Sequence, residues 1–334
     1  MFCPKCGNEV QEGSSFCGNC GAGIAGKAPN TAGVATAAVA GSAKRKGPIA
    51  IVAAIVVVVI AVVIGINVFG GSGGGDGITV KDSTEAYTWD ELSRISDEIG
   101  KASDENAAME IAKKYNLTTK DGKLDGTQTK SVTLSNGVKT VVQIVGFAHD
   151  EKADGGKAGI TFIFRDSIVT HNMNSTDSNA GGWEKSEMRS YLNSEGVNLL
   201  PSDLKQKVVS VKKLTNNVGE TQDVSSVTKT TDQLWLFSGV ELCGDTGSWW
   251  SNRAYADIQN AEGLEYKLFR DEGVYPKGSN SILEKKLDGN SFSWWERSPD
   301  PHNSDYFGRV NAGGNPYKVE PARHFLDVCP GFCI

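Results

Sequence analysis

Histidine is scarce, with only His149, His171, His302 and His324 in 334 residues. None has a second ligand at the i+2 or i+4 spacing of a compact metal site, which removes the usual histidine-based metal centres. There is no nucleophile elbow, phosphate loop or dinucleotide fingerprint. The run "GGSGGGDG" at 70–77 follows no strand and reads as linker. Positive charge is also short where nucleic acid would need it. Net charge is −6, with −1 in residues 1–20 and +4 in 21–47, leaving −9 for the remainder. An acidic body of this kind lacks the Lys/Arg footprint that releases counterions from a phosphate backbone.

There is one long apolar run. "IAIVAAIVVVVIAVVIGINV", residues 49–68, carries no charge and matches a hydrocarbon core of roughly 30 Å. The 48 residues before it and the missing polar stripe separate it from a signal peptide and from a core helix. It predicts a single transmembrane helix over 48–69. "AKRKGP" on its N-terminal flank places the N-terminus in the cytoplasm and the C-terminal domain outside, a single-pass plasma-membrane arrangement.

The seven cysteines fall into two groups. At the front, "CPKCG" and "FCGNCG" repeat Cys-x-x-Cys-Gly, so Cys3, Cys6, Cys17 and Cys20 offer four soft ligands for a tetrahedral, closed zinc site. Metal binding explains how residues 1–22 fold without a core. The segment resembles short zinc ribbons at the N-termini of bacterial membrane proteins. The resemblance implies structural zinc and a cytoplasmic protein partner. Residues 23–47 then read as a flexible, basic-ended linker and 70–80 as a second, Gly-rich one.

Beyond the span, Trp89, Leu92, Ile95 and Ile99, then Ala107, Ile111, Ala112 and Tyr115, recur at helical spacing. They predict a helical neck over 81–130. Residues 131–334 read as one α+β domain. "SVTLSNGVKTVVQIVGF" is a hairpin turning at Asn136–Gly137, "AGITFIF" a buried strand, and "GGWEKSEMRSYLN" the start of a helix with Met188, Tyr191 and Leu192 on one face. "TDQLWLFS" and "YFGRVNAGGNPYKV" read as later strands.

The ordered motifs "GGWEKSEMRSYLN", "LPSDLKQKVVSVKKLT", "TDQLWLFSGVE", "WWERSP" and "VCPGFCI" resemble an uncharacterised family of bacterial surface domains. At greater distance they resemble the C-type-lectin-like fold of phage receptor-binding proteins and formylglycine-generating enzymes. The resemblance implies a lectin-like mixed sheet with flanking helices and a structural signature of Trp183, Arg189, Trp294, Trp295 and Arg297. On a strand, Glu296 and Arg297 point to opposite faces, poor geometry for joint catalysis. Trp249 and Trp250, in a Gly/Ser-rich loop, are the candidate ligand contacts. Asp150 and Asp154 beside His149 offer calcium-type oxygens, although acidic loops are commonly just solvated. Cys243, Cys329 and Cys333 allow one disulfide, and Cys329/Cys333 is the enzymatic candidate. The expectation is a membrane-anchored, non-catalytic surface protein that recognises a glycan, peptide or protein. The alternatives are a thiol enzyme of the formylglycine-generating type and a transmembrane adaptor.

Overall fold

Thr88 opens the first helix, α1 (Trp89–Ile99), with a capping box. Its side chain accepts from the Glu91 amide, and the Glu91 side chain accepts from the Thr88 amide. Leu92, Ile95 and Ile99 turn inward, while Asp90, Glu91 and Arg94 stay toward solvent. Asp104 caps α2 (Glu105–Lys114) through the Ala107 amide. The computed structural model describes residues 77–217, 223–248, 253–287, 290–316 and 318–334, all within the unit Gly70–Ile334.

Four strands form an antiparallel sheet. They are β1 (Thr129–Thr133), β2 (Lys139–Phe147), β4 (Ile160–Phe164) and β14 (Gly331–Cys333), in the order β1-β2-β4-β14. The first pair is the expected hairpin, and Gly137 takes φ +85° in its turn. Between β2 and β4 lies β3 (Glu151–Lys152), which joins β6 (Val211–Asn216) and β7 (Val227–Asp232) in a small antiparallel sheet. A five-stranded sheet has the order β12-β11-β10-β13-β5. Its strands are β5 (Val169–His171), β10 (Trp294–Pro299), β11 (Tyr306–Val310), β12 (Lys318–Pro321) and β13 (Leu326–Val328). In it β10 and β13 run parallel and the other pairs antiparallel. A two-stranded piece, β8 (Lys285–Leu287) with β9 (Asn290–Phe292), completes the set. The lectin-like single mixed sheet is therefore corrected to several smaller sheets in a mixed α+β domain.

The helices expected to form a neck share the core of the sheets. Trp89 meets Phe162 edge to face at 5.6 Å, and Phe162 stacks on Phe332 at 5.2 Å. Ser96 ties α1 to the end of the chain, donating to the Ile334 carbonyl and accepting from the Ile160 amide at 3.0 Å. Gly159 permits this approach, since a Cβ there would lie 1.9 Å from the Ser96 carbonyl oxygen.

Among the described residues no helix is long and apolar enough to cross a membrane. The longest, α1, has 11 residues, roughly 17 Å at 1.5 Å per residue, and one of its faces is charged. The single-pass architecture and the plasma-membrane location are corrected on this point. The apolar run at 48–69 itself lies outside the described residues, as does the cysteine-rich segment.

Candidate binding pocket

Strand β6 alternates over its first five residues. Val211, Lys213 and Thr215 are buried, while Lys212 and Leu214 face outward. A buried lysine in this row needs acceptors, and it has three. Its Nζ donates to Asp150 Oδ1 at 2.7 Å and to Tyr266 Oη at 2.9 Å, and lies 2.6 Å from Glu241 Oε1. Two of these contacts are hydrogen bonds and the third is an ion pair.

Each partner is held in turn. Asp150 also accepts from Tyr266 Oη and, at 2.7 Å, from Thr161 Oγ1. Burial alone would raise its pKa, yet the Lys213 ammonium, with His149 and these hydrogen bonds, holds it well below the usual carboxylate range. Glu241 sits in α3 (Gly239–Cys243), whose N-cap Ser238 donates its amide to Glu241 Oε2 at 3.1 Å. Against the cost of burial, Arg297 and Lys213 hold Glu241 ionised. Arg297 clasps both Glu241 oxygens and donates to the carbonyls of Leu214, Leu236 and Glu262, satisfying its guanidinium without solvent. Glu262 accepts from the Asn216 amide and from Ser298 Oγ. Burial nonetheless raises its pKa to about 7, with Arg297 only partly opposing.

This network forms one wall of a pocket of about 170 Å³. Asp150, Lys213, Glu241 and Glu262 line its buried side. Glu151, Lys157, Lys212, Leu214, Lys229 and Leu264 line its outer side. The His149 ring stacks on Tyr266 with centroids 3.9 Å apart, and burial lowers its pKa, leaving a neutral imidazole at the pocket. The register builds the outer side. Lys157 pairs across from Glu151, Glu151 from Lys212, and Leu214 from Lys229. Directly opposed residues share a face with Cβ atoms roughly 5 Å apart.

Residues 158–334, more than half the chain, match the domain of unknown function DUF6273. The chain belongs to the DUF6273 family. Residues 2–24 match a zinc-ribbon domain. No curated protein and no solved structure matches the chain, so likeness to C-type lectins and formylglycine-generating enzymes finds no support.

The DUF6273 domain places the signature residues in two locks. Trp183 Nε1 donates to Asp232 Oδ2 at 3.1 Å and Arg189 Nε to Asp232 Oδ1 at 2.6 Å. Trp294 and Trp295 are both fully buried and donate to the carbonyls of Leu283 and His171. Arg297 supports the pocket wall from behind through Glu241, whereas Glu296 stands apart: it is buried, with neither oxygen bonded among the described residues.

The disulfide expected among Cys243, Cys329 and Cys333 is absent, and all three are buried free thiols. Their surroundings differ. Cys243 donates to the Gly239 carbonyl within α3, and Cys333 contacts Thr161 Oγ1 at 3.2 Å and Asp150 Oδ2 at 3.4 Å. Cys329 lies in the field of Lys285. Burial pushes every one of these thiols up, away from thiolate. Trp249 and Trp250, like Cys3, Cys6, Cys17 and Cys20, lie outside the described residues. Among the described residues no cluster of His, Cys, Asp or Glu is placed to hold a metal.

Sequence reasoning missed Lys213, Glu241, Glu262 and Tyr266. The trace was present for Lys213, which sits at the inward position of the alternation Val211-x-Lys213-x-Thr215.

Proposed function

We propose that the chain is a binding protein. The DUF6273 domain recognises a glycan, peptide or protein at the His149–Lys213 pocket without transforming it, and the ribbon carries a structural zinc. One observation carries the first part: the charged groups on the buried side of the pocket already bond to one another. Lys213 hydrogen-bonds to Asp150 and Tyr266 and pairs with Glu241, and Glu241 is also clasped by Arg297. Such a wall offers a ligand fixed, pre-oriented dipoles. Preorganisation of this kind favours recognition because little order is lost on binding.

Burial weighs against the thiol-enzyme alternative. A thiol–disulfide step begins with a thiolate, and Cys329 and Cys333 are buried with their pKa values pushed up. For the ribbon, the donor set is the support. Four cysteine sulfurs in two Cys-x-x-Cys-Gly units fit tetrahedral zinc, with Cys3, Cys6, Cys17 and Cys20 as ligands and no open position for chemistry.

The test is capture of ligands from glycan and peptide arrays by the purified full chain. Captured molecules are then weighed by mass spectrometry after prolonged incubation. The proposal expects retention with unchanged mass. A mass change, or capture of nothing, contradicts it.

A further inference from the structure

The outer side of the pocket carries a charge pattern that narrows the ligand, granted the binding reading just given. Three lysines, Lys157, Lys212 and Lys229, surround a single carboxylate, Glu151. The backbone register sets them together: Lys157, Glu151 and Lys212 stand in one cross-strand row, and Leu214 and Lys229 in another. Glu151 is bridged, with one oxygen 2.6 Å from Lys212 Nζ and the other 3.8 Å from Lys229 Nζ. Lys157 Nζ bonds to the His149 carbonyl and has no carboxylate of its own among the described residues. This side therefore holds three ammonium groups against one carboxylate. The buried side offsets at most one of the excess charges, through Glu262, because Lys213 and Arg297 are already matched by Asp150 and Glu241.

The uncharged part of the outer side is apolar and exposed. Leu264 is 75 % exposed and Leu214 36 %, the former among the most exposed large apolar side chains described. A cavity of about 150 Å³ takes one benzene, so about 170 Å³ admits a group of roughly one side chain. An anion with a small apolar neighbour, attached to something that continues into solvent past Leu264, satisfies every part of this surface.

We propose that the pocket binds the C-terminal carboxylate of a peptide whose last residue is apolar. The carboxylate sits among Lys157, Lys212 and Lys229, and the terminal side chain rests against Leu214 and Leu264. Glu151 occupies part of the same ground and competes with the ligand, a feature that separates this proposal from a general role for surface lysines.

The experiment is fluorescence anisotropy with the full chain and a fluorescein-labelled hexapeptide ending in Leu, as the free acid and as the C-terminal amide. The free acid is expected to bind at least tenfold more tightly than the amide, and its advantage to shrink between 50 and 500 mM salt. Lys157→Gln/Lys229→Gln lowers free-acid affinity at least tenfold, while Glu151→Gln raises it threefold or more. All three positions lie toward solvent, so unchanged thermal unfolding serves as the folding control. Equal binding of acid and amide, absence of binding, or indifference to Glu151→Gln overturns the carboxylate assignment. N-acetyl-leucine binding as tightly as the hexapeptide overturns the peptide as its source. If acid and amide bind alike and Leu264→Trp abolishes both, the pocket stands and only the ligand class falls. A bound peptide or glycan indifferent to Leu264→Trp brings down the pocket reading itself.

Discussion

Arg297 and Glu296 are neighbours in sequence, but among the described residues only Arg297 finds a hydrogen-bonding partner for its side chain. Arg297 grips both oxygens of Glu241, its Nη2 3.0 Å from Oε1. The Glu296 carboxyl instead lies against Gly308, where a Cβ would come within 2.7 Å of Oε2. Strand alternation sends the two side chains apart, and the register of β10 on β11 shifts between Trp295 and Pro299.

Cutting the Arg297–Glu241 pair leaves a buried charge without its partner, which costs about 3–5 kcal/mol. Arg297→Ala and Glu241→Ala are expected to lower urea-unfolding stability by that amount. Arg297→Lys also destabilises, because an ammonium cannot reproduce the fork that reaches Glu241 and three carbonyls. Wild-type stability in Arg297→Lys would show that the fork has no structural role.

The two other buried glutamates give the domain a pH signature. Burial raises Glu262 from 4.5 to about 7, and burial with the Glu262 charge lifts Glu296 well above the carboxylate range. A carboxyl whose folded pKa is raised contributes its full stability below the unfolded value. That contribution is lost as pH rises through the folded value. Glu262→Gln is therefore expected to gain on wild type between pH 4.5 and 7, by up to about 3 kcal/mol at about 1.4 kcal/mol per pH unit. Glu296→Gln gains over a window that starts at the same pH and extends higher. Urea midpoints measured from pH 4.5 to 8 check this, and a gap that does not change with pH contradicts it.

Cys243, Cys329 and Cys333 are expected to resist iodoacetamide in the folded chain at pH 8 and to react on unfolding, since burial disfavours each thiolate. Peptide mapping after alkylation reads this site by site. Rapid labelling of Cys329 or Cys333 in the native protein would reopen thiol chemistry.

The ribbon predicts one zinc per chain. Elemental analysis of the purified protein is expected to find one equivalent, and Cys17→Ser to lose it, because a three-thiolate remnant cannot close the tetrahedron. A wild-type chain free of zinc contradicts the assignment of Cys3, Cys6, Cys17 and Cys20.

Elements whose cause is local were legible. Helix α1 follows from Trp89, Leu92, Ile95 and Ile99, and the β1–β2 hairpin from Asn136–Gly137. The helix read from 181 onward is broken in the fold. Ser186 turns extended, at ψ 145°, to cap a second short helix at Glu187. The "TDQLWLFS" strand ends at Asp232, and Leu234 to Phe237 continue as buried chain with a single bridge, Trp235 to Gly331. Periodicity cannot tell an apolar run paired in a ladder from one buried by side-chain packing. The pocket was least legible, because Lys213 in "VKKLT" looks like any solvated lysine. Its burial is decided by Asp150, 63 residues earlier, and by Glu241 on a separate helix.

The DUF6273 domain is expected to bind its ligand at the His149–Lys213 pocket. Leu264 is exposed on the pocket's outer side, so Leu264→Trp fills the entrance without disturbing the core. Ligands captured from glycan and peptide arrays by the wild-type chain are expected to be lost from Leu264→Trp at unchanged thermal stability. Capture of the same ligands by both proteins at equal strength would contradict binding at this pocket.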